Sequence, residues 1–239
     1  MKFPPILFEN EAFVVIDKPA GLLSVPDRKQ SAVSLKDLLI ERYGEIFTVH
    51  RLDRETSGVI VFAKTAEAHR YLSQLFEHRE TSKIYLGLAL GRLAQSSGLI
   101  EEPIAEHPAK NGTMTVYRKG KPASTGYEVV EDLVRYSLVR FFLHTGRTHQ
   151  IRVHMKHLGH PIACDELYGD GKPVLVSSIK KNYKLSKLEE EEKPILGRLG
   201  LHSAELSFTD QSGVKHHFEA PLPKDMRALM SQLRKVVDG

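Results

Sequence analysis

Residues 50–65, HRLDRETSGVIVFAKT, change character halfway along. The first nine, HRLDRETSG, carry no hydrophobic period and read as a loop. From Gly58 the run GVIVFA is continuously apolar and strand-length, the pattern of a strand buried on both faces. Thr65 then stands as the N-cap of a helix expected over about residues 66–78. The loop thus delivers one carboxylate, Asp53, between Arg51 and Arg54 and directly ahead of a core strand. Such a carboxylate can be an ion-pair partner, a metal ligand, a general base or a nucleophile, and spacing alone does not choose among them.

Working outward from this stretch, FVVI (13–16) reads as a strand that stops at the breakers Pro19 and Gly21. SLKDLLIERYG (34–44) reads as a helix, with Ser34 as N-cap, Asp37 at the capping-box position, Gly44 at its end and an apolar face of Leu35, Leu38 and Leu39. On the other side, SKIYLGLALG (82–91) alternates. Ile84, Leu86, Leu88 and Leu90 form the expected core face, while Tyr85 is flanked by the small Gly87 and Ala89 on a face expected to leave room for a ligand. Residues 103–125, with Pro103, Pro108, Gly112, Gly120 and Pro122, read as loop, followed by two paired strands, TGYEVVED (125–132) and YSLVRFFLH (136–144). TGRTHQIRVHMKHLGHP (145–161) reads as a turn and a helix ended by Gly159 and Pro161. Ile151, Met155 and Leu158 make its core stripe, which gathers His149, Arg152 and Lys156 on another face. Residues 170–198 read as a charged excursion, KKNYKLSK followed by EEEEK, with a solvated hairpin or helix favoured over an RNA-binding role for its lysines. LHSAELSF (201–208) and HHFEAPLP (216–223) return to strand, and KDMRALMSQLRKVV (224–237) closes as an amphipathic helix. Strands and helices in this irregular order predict an α+β fold with a mixed, largely antiparallel central sheet and flanking helices.

Composition narrows the classes. A chain of 239 residues with 41% hydrophobic and 27% charged residues can bury a core. Its apolar runs are too short to cross a membrane, and its start lacks the apolar region and cleavage site of a signal peptide. The single cysteine, Cys164, excludes an intrachain disulfide and suits a reducing compartment, so a cytoplasmic location is expected. A formal charge of +4 permits a polyanionic partner without demanding one. The usual phosphate-loop, dinucleotide and α/β-hydrolase motifs are missing. His154, His157 and His160, with Cys164 and Asp165 beyond, raise a metal-dependent hydrolase. No HExxH or CxxC pattern accompanies them, and the reading adopted is no metal. Cys164 reads as a small buried residue, and Asp17 and Lys18 as a turn beside the site with no catalytic role.

Several segments together resemble the RluA-type pseudouridine synthases, enzymes that isomerise uridine in RNA. HRLDRETSG resembles the family's HRLDxxTSG signature, VVIDKPAGLLSVP (14–26) its first segment, and SKIYLGLALG its K-x-Y strand. HTGRTHQIRVHMKHLGHPIACDELYG (144–169) resembles its C-terminal signature, and LHSAELSF and FEAPLP its closing strands. The pieces keep family order over about residues 8–223. The resemblance implies the pseudouridine synthase catalytic fold, expected over residues 1–239 as a single domain with the charged stretch at about 170–198 as an insertion. The sequence departs from many members of the family in that no N-terminal S4-like domain is read in it. The resemblance also implies Asp53 as the essential carboxylate, Tyr85 as the ring that stacks on uracil with a part in proton movement left open, and Arg152 as the partner of Asp53. Arg51, His50, Arg54, Arg147 and His149 are assigned to holding the RNA. Asp53 attacks C1′ or stabilises charge there while a ribose proton leaves; the sequence leaves both routes open. No cofactor is implied. The implied partner is structured RNA, a ribosomal or transfer RNA stem-loop, bound by a monomer without a protein partner. The rival reading is a non-catalytic RNA-binding or folding factor on the same scaffold.

Overall fold

The computed structural model describes residues 3–27, 30–180, 183 and 191–237. In chain order these form β1 (Ile6–Glu9), β2 (Phe13–Lys18), α1 (Leu35–Tyr43), β3 (Phe47–Thr48), β4 (Ser57–Ala63) and α2 (Ala66–His78). Next come β5 (Ser82–Leu90), β6 (Ser97–Ile100), β7 (Ile104–Glu106), β8 (Met114–Val116), β9 (Thr125–Asp132) and β10 (Tyr136–Leu143). The chain continues through α3 (Gln150–His157), β11 (Leu201–Thr209), β12 (Lys215–Glu219) and α4 (Lys224–Val237). The α+β class and the mixed, mostly antiparallel sheet agree with the expectation from sequence. The KKNYKLSK and EEEEK stretch lies largely outside the described residues.

The residues group into two compact units, Met1–Tyr85 with Phe142–His144 and His202–Pro221, and Leu86–Phe141 with Thr145–Leu201 and Leu222–Gly239. In the first unit the strand order is β1-β2-β4-β11, with β12 on β11 and β3 on β4. β4 runs antiparallel to β2 and β3 and parallel to β11. All seven residues of β4 are buried, as its unbroken apolar run requires. α1 starts as the sequence predicts. The Ser34 hydroxyl accepts the Asp37 amide, and the Asp37 carboxylate accepts the Ser34 amide at 2.8 Å. α2 is capped by the Thr65 hydroxyl and ends at Arg79 in the left-handed conformation. It lays Ala68, Leu72 and Leu75 on a core that includes Phe13, Val59, Val61, Leu206 and Phe218. Burying each large apolar side chain there contributes about 1.5–3 kcal/mol.

The second unit contains β5 from Leu86 onward and β10 up to Phe141, in the order β5-β10-β9-β6, and, apart from these, the antiparallel pair β7-β8. α4 puts Met226, Leu229, Met230 and Leu233 into a core with Leu88, Leu138, Ala163 and Leu196. Its first turn is tied by a bidentate bond from Arg198 to Asp225, 2.7 Å on both arms.

Three local expectations change. Residues 103–125 are not all loop, because β7 and β8 pair as a hairpin; their three-residue length, set among prolines and glycines, gives too few positions for a period to show. Leu158 is exposed at the end of α3, so the core stripe of that helix ends at Met155. The small residues of β5 make no open face. A Cβ on Gly87 would lie 2.9 Å from the Phe141 ring and 3.2 Å from Ile162, and Ala89 is fully buried. They are small because packed side chains occupy the space above them.

Candidate active site

Asp53 sits on a loop whose backbone is gripped from outside itself. Lys18, the last residue of β2, is fully buried, and its ammonium donates to the carbonyls of Pro19 (3.0 Å), Leu22 (2.8 Å) and Arg54 (3.0 Å). The Ser24 hydroxyl donates to the Leu52 carbonyl at 2.8 Å and accepts the Leu52 amide at 3.1 Å. The Gly21 amide donates to the Arg54 carbonyl, and Arg54 Nε returns a bond to the Gly21 carbonyl, at 2.9 and 3.0 Å. The residues on both sides of Asp53 are thus fixed by the segment 18–24, and a turn from the Thr56 amide to the Asp53 carbonyl completes the bend. Asp53 itself is half-buried. Lys18 read as a bystander in the sequence; it is the buried tie that shapes this loop.

Behind the loop, β11 approaches β4 so closely that only glycine fits at position 58. Its φ is +111°, and an added Cβ would stand 2.0 Å from the Ser203 carbonyl oxygen. The register pairs His202 with Ser57 and Ser203 with Gly58. His202 is fully buried; its Nε2 meets the Ala220 carbonyl at 3.1 Å, so that nitrogen carries the proton and Nδ1 accepts from the Ser57 hydroxyl at 2.9 Å. Ser203 donates to the Val59 carbonyl and shares a hydrogen bond with Tyr85. Tyr85 is buried, and its hydroxyl is pushed up to about 12, chiefly by burial. The Asp53 charge pushes the same way and the Ser203 bond pushes against it. Tyr85 therefore stands in the electrostatic field of Asp53 and stays a neutral phenol throughout the physiological range.

The other residues of the signature divide. Arg51 is exposed. Arg54, exposed as well, spends its Nε on the loop. His50 turns inward, where Nε2 accepts the Val61 amide at 3.2 Å and the ring stacks on Phe76 at 4.5 Å. Burial, and then the charge of Lys83, lower it to about 3. The structure gives His50 the work of a neutral brace between β4 and α2.

In the second unit, α3 presents the remaining candidates. Gln150, unnoticed in the sequence, uses every polar atom. Its carbonyl oxygen accepts from the Thr145 hydroxyl and the Arg147 amide, and its nitrogen donates to the Ser124 carbonyl and the Thr125 hydroxyl. Arg147 Nε donates to the Pro122 carbonyl at 3.0 Å. His149, Arg152 and Lys156 do share a face, and the residue that gathers them is Tyr168. His149 Nδ1 lies 2.7 Å from its hydroxyl, and Arg152 and Lys156 lie 5.0 and 5.8 Å from its ring centre. The same hydroxyl accepts the Met114 amide at 2.7 Å, which seats the β7-β8 hairpin against α3. Arg152 is buried and held bidentate by Asp165, at 2.7 and 2.8 Å. Asp165 and Tyr168 belong to the ACDELYG stretch, which is quoted within the family resemblance but gave neither residue a role. Between the hairpin and α3 lies a cleft of about 350 Å³ lined by His107, Lys110, Lys156, His157 and Tyr168 among others.

The histidines once considered as ligands point to different partners. His154 is fully buried between the Glu102 carbonyl and the Thr125 hydroxyl, both at 2.9 Å, and burial lowers its pKa. His157 faces the Glu102 carboxylate at 3.8 Å, and His160 the Leu90 carbonyl at 2.9 Å. Burial pushes the Cys164 thiol up to about 11, which keeps it an unreactive core group at neutral pH.

This fold, and a carboxylate loop built on these motifs, define a class: the chain belongs to the RNA pseudouridylate synthase family, whose profile matches residues 12–157. That span contains Asp53, Tyr85 and Arg152. Among curated proteins it is similar to ribosomal large subunit pseudouridine synthase D of Nitrosomonas europaea, 37% identical over 97% of this chain and 65% of that one. The Escherichia coli K12 protein of the same name is 34% identical, over 96% of this chain and 70% of the relative. The chain thus spans about two thirds of the length of these relatives. Among solved structures, human RNA pseudouridylate synthase domain containing 4 superposes with a TM-score of 0.73 at 25% identity, covering 96% of this chain and 92% of that one. Human RNA pseudouridylate synthase domain containing 1 gives 0.69 at 24%, covering 97% and 94%, a likeness of fold.

Proposed function

We propose that this protein isomerises uridine to pseudouridine in structured RNA, with Asp53 as the catalytic carboxylate. The observation that carries this reading is the pairing of a rigidly held, half-buried Asp53 with a buried, neutral Tyr85 inside one unit. The reaction breaks the N1–C1′ bond, turns the detached uracil and joins C5 to C1′; the C5 hydrogen leaves as a proton and N1 takes one up, so the product is an isomer. Asp53 engages C1′, the Tyr85 ring holds uracil between cleavage and rejoining, and Arg152 is the third catalytic group of this reading, a guanidinium that supplies positive charge. No co-reactant enters the balance, so no cofactor is called for. The target base must leave its stack, at a cost of a few kcal/mol that contacts to phosphate offset. Arg51, Arg147, His149 and the cleft lysines Lys110 and Lys156 are the proposed phosphate contacts. Ribosomal RNA is the first substrate to try, because the relatives named above act on the large ribosomal subunit; transfer RNA is the second. The cytoplasm is the proposed location.

The test uses ribosomal and transfer RNA fragments tritiated at uridine C5, because joining C5 to C1′ expels that hydrogen. Wild type is expected to release tritium to solvent, and Asp53→Asn to release none while still binding. Release by Asp53→Asn at the wild-type rate would sink the assignment. Binding without release by the wild type would favour the non-catalytic RNA-binding reading.

A further inference from the structure

Arg152 occupies an unfavourable place for a cation. It is the third residue of α3, a helix whose first turn contains no acidic residue, so its charge opposes the helix dipole. It is only 7% exposed, and Lys156 follows one turn later. A well-packed apolar side chain costs less in such a position than a buried ion pair. Stability alone does not account for an arginine there.

What holds it is Asp165, whose carboxylate is 1% exposed. The segment before it is fixed to β5 by bonds from the Leu90 amide to the Pro161 carbonyl and from the Ala163 amide to the Leu88 carbonyl, at 2.9 and 2.7 Å. Oδ2 accepts from Arg152 Nε at 2.7 Å, and Oδ1 from Nη2 at 2.8 Å. Oδ1 also accepts the amides of Leu167 and Tyr168, each at 3.0 Å. The carboxylate cannot swivel, because peptide groups fix it, and a bidentate grip passes that fixity to the guanidinium plane. The Tyr168 ring, 5.0 Å from the guanidinium carbon, closes one face.

We propose that Asp165 is a positioning residue for the reaction, setting the direction in which Arg152 presents its guanidinium. The inference rests on the role given to Arg152 above. The turn itself needs only one oxygen of residue 165 for its two amides, and an asparagine supplies it. Asp165→Asn therefore removes the charge and the bidentate grip while sparing the turn, whereas Asp165→Glu keeps the charge and displaces the guanidinium.

The experiment compares intact wild type, Asp165→Asn and Asp165→Glu by single-turnover tritium release and by filter binding of the same RNA, with near-UV circular dichroism reporting the fold. Asp165→Asn is expected to slow release at least about tenfold, the scale of loss when a catalytic group is misplaced by a fraction of an ångström to one ångström. RNA affinity is expected to hold within about threefold, since a group acting only on the chemical step leaves binding untouched. Asp165→Glu is expected to recover part of the rate. A purely structural role predicts the reverse split, with fold or affinity lost and the rate of bound, folded enzyme unchanged. Wild-type release by folded Asp165→Asn overturns the proposal. If Asp165→Asn does not fold, Asp165→Glu decides: slowed release with intact binding supports the role, and wild-type release removes it. Absence of release from wild type would instead defeat the proposed function and this inference with it, a distinguishable result.

Discussion

The imidazole of His50 accepts a hydrogen bond from the Val61 amide, and an acceptor nitrogen carries no proton. Its pKa is depressed in the folded state to about 3, from an ordinary 6.5. The stability it contributes is therefore fully present above pH 6.5 and is lost as pH falls from there toward 3. Urea titrations between pH 7 and 4 should show stability declining, and His50→Gln, whose amide oxygen can accept the same bond without titrating, should flatten that decline. An equal slope in the variant would assign the acid sensitivity elsewhere. The stacking role proposed for the neutral, buried Tyr85 predicts that Tyr85→Phe keeps tritium release within about tenfold of wild type, a loss at the low end of what a proton-transferring group supplies. A loss of a thousandfold would give the hydroxyl a proton to carry. Gly58→Ala drives a methyl group into the Ser203 carbonyl and should cost more than about 3 kcal/mol in the same titrations. At this scale the motifs drew attention to Asp53 and Tyr85, and both lie in the first unit. The sequence did not show the tie from Lys18 to the Arg54 carbonyl, the bonds from Gln150 to Ser124 and Thr125, or the grip of Asp165 on Arg152, because each of these joins residues distant in sequence.

Elements were legible where their signals are local. The capping box of Ser34 and Asp37, the Thr65 cap and the apolar run of β4 all depend on neighbours within a few positions, and all appear as read. The face of β5 around Gly87 misled because an alternating pattern separates two sides of a strand without saying what covers either. The β7-β8 hairpin escaped because its seat is a tertiary one: the Met114 amide reaches Tyr168, and Met114 and Val116 pack on Ile104, Val153 and Tyr168. That contact gives a prediction for the element as a whole. Tyr168→Phe retains the ring but not the hydroxyl, so the Met114 amide should lose hydrogen-exchange protection by about fivefold to tenfold, matching a bond worth about 1 kcal/mol. Unchanged exchange at Met114 would mean that packing alone seats the hairpin.

Over the whole molecule the charge is modest, 34 basic against 30 acidic side chains, so RNA affinity must come from where cations gather rather than from their sum. Lys110 and Lys156 line one cleft. Replacing either with alanine should weaken RNA binding and reduce the slope of log affinity against log salt by about one; an unaltered slope would remove that lysine from the phosphate contacts.

The parallel contact of β11 with Gly58 carries a consequence for synthesis. The first unit is discontinuous: residues 1–85 leave the ribosome early, but His202 and Ser203, which pack against the strand behind Asp53, are translated more than a hundred codons later. Vectorial folding cannot complete this unit as residues 1–85 emerge, because the strand behind the Asp53 loop has not yet been made. A nascent chain arrested at residue 195 would expose one edge of β4 and hold Tyr85 without its serine partner. The unit should therefore close only once Ser203 has been made, with the loop around Asp53 protease-sensitive in chains arrested at residue 195 and resistant once the later strand has emerged.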